Sequence, residues 1–129
     1  MRTRFTAVVV VLLAAIAPLQ AQPWMRLGAR SVSDRADHDV VPVTGRDGRF
    51  TAVRFAVRGH SVDFHRVVIH FRNGEDQTVQ MRATIRAGGE SRAIDVEGRD
   101  RVIRSIEFWY DANTFGRGGR ATVTVFGRR

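Results

Sequence analysis

His60, Asp63, His65 and His70 fall within one short stretch, and imidazoles with a carboxylate are ligand types suited to Zn²⁺ or Cu²⁺. Their parity argues against a shared site. On a regular strand Asp63 and His65 project to one side while His60 and His70 project to the other, so no metal site is assigned and the residues read as surface histidines. Gly89-Glu90-Ser91-Arg92-Ala93 superficially resembles the Gly-x-Ser-x-Gly nucleophile elbow, which needs a strand-to-helix turn in a parallel α/β sheet. No helix is expected after Ser91. The segment reads instead as a turn at Gly88-Gly89 and a strand starting at Ser91, with Asp95 in reach of Arg92, Arg99 or Arg101.

Arginine is the strongest chemical feature. All 21 Lys and Arg residues are Arg, set against 13 acids for a net charge of +8, a bias that GC-rich codons would also produce. Arg54, Arg58, Arg66, Arg72, Arg82, Arg86 and Arg104 occupy outward positions of successive strands. They are expected to form one basic sheet face able to grip phosphates or carboxylates bidentately. The competing expectation is that they only solvate the outside of the domain and protect its edges. Trp24, Trp109, Tyr110, Phe115 and Phe126 would add a stacking platform for sugars if exposed together, and Trp109 is the critical one because it alternates away from Ile106, Phe108 and Tyr110.

The elements that must position these residues follow from pattern. Arg2 and Arg4 precede an uncharged stretch, Phe5 to Ala21, whose apolar centre is too short to cross a bilayer of ~30 Å. It reads as a secretory signal cleaved after Ala21. The remaining chain, 22–129, keeps a net charge of +6 and contains no Cys, which excludes disulfides, thiolate metal sites and a lipid-modified N-terminus. With no further span, it is expected to be a single soluble domain, periplasmic or secreted.

From Gln22 onward there are 14 Val and five Ile but one Leu, a ratio that favours pleated sheets over helices. Period-two alternation recurs over Arg49 to Arg58, Val62 to Arg72, Val79 to Arg86, Ile106 to Asp111 and Ala121 to Phe126. In the second run the apolar phase slips between Phe64 and Val67, which predicts a bulge near His65 and Arg66. Met25 to Val32, Val40 to Val43 and Ser91 to Val96 complete the set. Turn signals at Asp47-Gly48, Arg58-Gly59, Asn73-Gly74, Gly88-Gly89, Gly98 and Asn113 to Gly119 separate the runs. The expected fold class is all-β: an antiparallel β-sandwich of seven or eight strands. Pro42 marks an edge or a bulge.

Leu27-Gly28, Asp39-Val40, Gly48-Arg49-Phe50, Asn73-Gly74, Gly89-Glu90-Ser91-Arg92-Ala93-Ile94-Asp95, Arg101-Val102-Ile103 and Val123-Thr124-Val125-Phe126-Gly127 together give a resemblance. The chain resembles a family of small exported bacterial proteins catalogued as a domain of unknown function. That resemblance implies export and a β-rich domain, and supplies no catalytic residue.

The functional expectation is a non-enzymatic, cofactor-free module that binds an anionic glycan or lipid headgroup of the cell envelope. Its contact residues would be Arg54, Arg58, Arg66, Arg72, Arg82, Arg86, Arg104 and Trp109. A structural module that pairs with a protein partner through an edge strand, either that around Pro42 or Ala121 to Phe126, is the alternative. A metal-dependent hydrolase is a third reading. Nucleic acid is disfavoured by export and by the lack of a reading motif.

Overall fold

The computed structural model describes residues 6–8, 23–44, 48–111 and 119–129. Most of the expected signal segment, its cut after Ala21, Phe115 and most of the Asn113 to Gly119 turn lie outside these residues. Among the described residues there are nine strands and no helix: β1 (Met25–Ser33), β2 (His38–Pro42), β3 (Arg49–Phe50), β4 (Ala52–Arg58), β5 (Val62–Phe71), β6 (Asp76–Ile85), β7 (Ile94–Asp95), β8 (Arg101–Asp111) and β9 (Arg120–Arg128).

They form two antiparallel sheets. The first, sheet I, has the order β1-β9-β4-β7, and the second, sheet II, the order β2-β8-β5-β6, with β3 also paired to β8. The period-two pattern decides which side chains enter the space between them. Val53, Phe55 and Val57 of β4 and Val123 and Val125 of β9 face Phe64, Val67 and Ile69 of β5 and Ile106 and Phe108 of β8, all nearly or wholly buried. Phe55 links the layers, with its ring centroid 5.4 Å from that of Phe64 and 5.7 Å from that of Phe108. Burial of each such side chain contributes about 1.5–3 kcal/mol, which lets the domain form without a covalent staple.

Both seams between the sheets are closed by side chains. On one side Arg30 Nε donates to the Val40 carbonyl at 2.8 Å, joining β1 to β2, and Gly28 leaves room for Val41, whose Cγ1 would lie 2.6 Å from an added Cβ. On the other, the buried Gln77 of β6 donates to the Asp95 carbonyl at 2.9 Å and accepts from Glu97 N at 2.8 Å. A buried amide with both ends satisfied specifies how β6 meets β7.

Local departures from the expected strands have visible causes. The bulge near His65 and Arg66 is present: the β5–β6 register runs from Phe64↔Ala83 to Arg66↔Gln80, which leaves Met81 and Arg82 opposite His65. The run Arg49 to Arg58 is two strands, because the chain changes sheets at Thr51, whose N–H and hydroxyl both donate to the Arg128 carbonyl. The strand expected over Ser91 to Val96 shrinks to Ile94–Asp95, since Ser91 turns inward and its Oγ accepts from Phe55 N at 2.9 Å. β2 is an edge strand, as Pro42 requires. The strand Ala121 to Phe126 is not an edge: β9 lies between β1 and β4, and both its sides are used in pairing.

Candidate functional site

The sandwich divides the expected rank of arginines. Arg54 and Arg58 lie on the outer face of sheet I, while Arg66 (β5), Arg82 (β6) and Arg104 (β8) belong to sheet II on the opposite side of the core. Arg72 follows β5 and Arg86 follows β6, both exposed near strand ends. Alternation identifies a side chain as outward but not which sheet it leaves, so one continuous basic face does not form.

On sheet I the arginines meet aromatic rings. Arg26, Phe126 and Arg54 stand in one cross-strand row, and Ser31, Thr122 and Arg58 in another. The Arg54 guanidinium lies 4.4 Å from the ring centre of the half-buried Trp24 and 5.7 Å from that of Phe126, and Arg128 lies 4.9 Å from Trp24. Arg54 Nη1 is 3.2 Å from Glu90 Oε2, while its Nε is buried with no hydrogen-bond partner among the described residues. Such cation–π contacts hold a guanidinium in place without neutralising it.

On sheet II the outer face carries an alternating chain of acids and bases, one residue from each strand in spatial order. His38 Nε2 of β2 is 2.6 Å from Glu107 Oε2 of β8, the other Glu107 oxygen is hydrogen-bonded to His70 Nε2 of β5, and His70 Nδ1 is 2.5 Å from Asp76 Oδ1 of β6. Burial acts to lower the His70 pKa, but the hydrogen bonds to Asp76 and Glu107 outweigh it and the net shift is upward. The Glu107 carboxyl is held below its ordinary value chiefly by its bond to His38, against the opposing effect of burial, with His70 adding to it. Trp109 sits beside this chain on the outer surface, with the Arg66 guanidinium 3.9 Å from its ring centre and the His38 ring 4.7 Å away.

The four residues weighed as metal ligands are dispersed. His60 Nδ1 is 2.9 Å from the Ser61 carbonyl, Asp63 accepts from the Thr84 hydroxyl, His65 is exposed at the bulge, and His70 is held in the chain just described. Among the described residues no group of three or more His, Asp or Glu side chains is arranged to hold a metal. Ser91 Oγ accepts from Phe55 N and donates to the Arg92 carbonyl at 2.8 Å, so its hydroxyl serves the backbone. Arg101 pairs with Glu75 rather than with Asp95.

His38, Glu107 and Asp76 carried no signal in the sequence, because the contact between His38 and Glu107 spans 69 positions. A cavity of about 470 Å³ near Trp109 is lined by Asp34, Asp37, His65 and Asp111 among others. The neighbouring Tyr110 hydroxyl donates to Asp39 Oδ2 at 2.8 Å, and burial together with Asp39 and Asp37 raises its pKa.

A two-sheet, antiparallel β-sandwich is the class of protein that these features define. Within it the chain belongs to the family described as Domain of unknown function (DUF2541), whose model matches residues 6–127. No curated protein matches it in sequence. A solved structure of Pseudomonas aeruginosa AlgX is similar with a TM-score of 0.48 at 14% identity, covering 85% of this chain and 27% of that one. The chain therefore spans about a quarter of the length of that structure. No helix among the described residues is long and apolar enough to cross a membrane.

Proposed function

We propose that the protein is an exported, non-enzymatic module that binds an anionic or carbohydrate component of the bacterial cell envelope. The contact surface in this reading is the outer face of sheet I, where Arg54 and Arg58 are joined by Arg26 and Arg128. One observation carries it: among the described residues only Arg54 of these four forms an ion pair, so Arg26, Arg58 and Arg128, the last held over the Trp24 ring, present guanidinium groups that no carboxylate neutralises. Arginine forks at strand spacing suit the repeated phosphates or carboxylates of lipopolysaccharide, phospholipid headgroups or peptidoglycan. Export rests on the Arg2 to Ala21 segment, and the domain that remains would act outside the cytoplasm.

Retention on a heparin, lipopolysaccharide or peptidoglycan column at stepped salt tests the reading. The protein should be held at low ionic strength and released as salt rises, because interactions at exposed charges are screened beyond a Debye length of about 10 Å at 0.1 M. The pair Arg26→Glu and Arg58→Glu should abolish retention, whereas Arg66→Glu with Arg82→Glu on sheet II should leave most of it. Equal losses from both pairs would show that net charge alone matters.

A further inference from the structure

We infer that the cleft between the end of β5 and the bulged part of β8 is a second, separate site, built to take the phosphate group of a small phosphate monoester. The cavity has a volume of about 250 Å³ and is lined by Val43, Arg72, Ile103 and Arg104. It adjoins a second cavity of about 370 Å³, reached across Arg72 and lined in part by Arg49, Phe71 and Arg101.

The local backbone explains why two arginines meet there. The β5–β8 register passes from His70↔Ser105 to Phe71↔Ile103, so Arg104 is an extra residue on β8 with no partner on β5. A bulge of this kind re-aims a side chain out of the regular alternation. The Arg104 carbonyl accepts from Val43 N at 2.9 Å, and Arg72 N donates to the Val102 carbonyl at 3.0 Å. These two bonds bring both arginines to the same opening.

Arginines around the two cavities are of two kinds. Arg49 is engaged by Asp100 at 3.2 Å, and Arg101 is engaged by Glu75 at 3.4 Å, by the Glu97 carbonyl at 3.3 Å and by the Phe71 ring at 3.9 Å. These side chains build the wall. Among the described residues the guanidinium groups of Arg72 and Arg104 have no hydrogen bond, ion pair or ring contact, so their donors are unspent. Two free guanidinium forks at one opening match a group of two negative charges, and the dianionic head of a phosphate monoester, with three terminal oxygens, balances them better than a singly charged carboxylate. Val43 and Ile103 line the same cleft and give it an apolar wall on which a short carbon skeleton would rest.

The test is calorimetric titration of the whole exported chain at low salt with inorganic phosphate, a short alkyl phosphate and the alkyl carboxylate of the same length. The alkyl phosphate should bind more tightly than either of the others. Arg72→Gln and Arg104→Gln should each weaken it about tenfold, the loss of one charge-assisted bond. Arg35→Gln, at the opposite end of β2, should change nothing, and unfolding midpoints of all variants should match the parent. No heat with any phosphate, unchanged binding in both Arg72→Gln and Arg104→Gln, or equal affinity for phosphate and carboxylate would each overturn the assignment. Because the sheet I face does not take part, column retention can fail while this site stands, and the reverse.

Discussion

On the outer face of sheet I stand Arg26, Arg54, Arg58 and Arg128; Trp24 steadies Arg54 and Arg128, Phe126 also packs on Arg54, and among the described residues Arg54 alone of the four is ion-paired. On the outer face of sheet II, His38 and His70 each have a carboxylate within hydrogen-bonding distance, and Glu107 serves both. Both surfaces arise from the same alternation of apolar and polar residues over one core. They differ in where the compensating charge sits, and this separates their roles. Charges that satisfy one another hold strands together, whereas charges left unsatisfied are available to a ligand. The sheet I arginines are therefore read as the polyanion-binding surface, and the histidine–carboxylate chain of sheet II as structure.

That division predicts unequal costs of mutation. Glu107→Ala should destabilise the fold by about 1–3 kcal/mol in a denaturant titration, since it strips two imidazoles of their acceptor at a site where the Glu107 side chain is 23% exposed. Glu90→Ala on sheet I removes a partner that is 50% exposed, and should shift stability by no more than about 0.5 kcal/mol. Similar costs for the two would erase the distinction between the faces.

The same chain makes stability depend on pH in a defined window. His70 has a raised pKa in the fold, so its contribution is fully present below its ordinary value of 6.5 and is lost as pH climbs through the raised value. Glu107 has a lowered pKa, so its contribution is present above its ordinary value of 4.5 and is lost as pH falls through the lowered one. The alternating chain should therefore stabilise most between those two ordinary values. Unfolding midpoints measured across the range should show this bonus in the parent and not in the double variant His70→Gln, Glu107→Gln.

A smaller effect sharpens the comparison from the backbone side. Arg82 sits opposite the bulge with a φ of 39°, while among the described residues the strands of sheet I contain no such non-glycine residue. Arg82→Gly should raise stability by about 0.5–1 kcal/mol, as left-handed strain is relieved against the greater entropy glycine loses. A loss would mean that the Arg82 side chain does more on sheet II than its exposure implies.

Much of the scaffold was legible because burial imposes a period of two on a strand. Val53, Phe55 and Val57, the slip at His65 and Arg66, and the split between Phe108 and Trp109 were all fixed by which side chains must be dry. What alternation cannot encode is the partner of each strand. Arg54 and Arg82 are equally outward, yet they leave opposite sides of the molecule, and β9 looked like an edge although β1 and β4 flank it. The second bulge, at Arg104, was hidden because Ile103 and Ile106 can be read as separate starts of one run. The chain from His38 to Asp76 joins four strands and exists only once the sheet is assembled.

Amide shift mapping of labelled residues 22–129 during titration with a heparin oligosaccharide at low salt measures directly which face touches a polyanion. The account predicts shifts concentrated in β1, β9 and β4, around Arg26, Arg54, Arg58 and Phe126. Shifts centred on the outward residues of β5, β6 and β8, or spread evenly over both sheets, would contradict it.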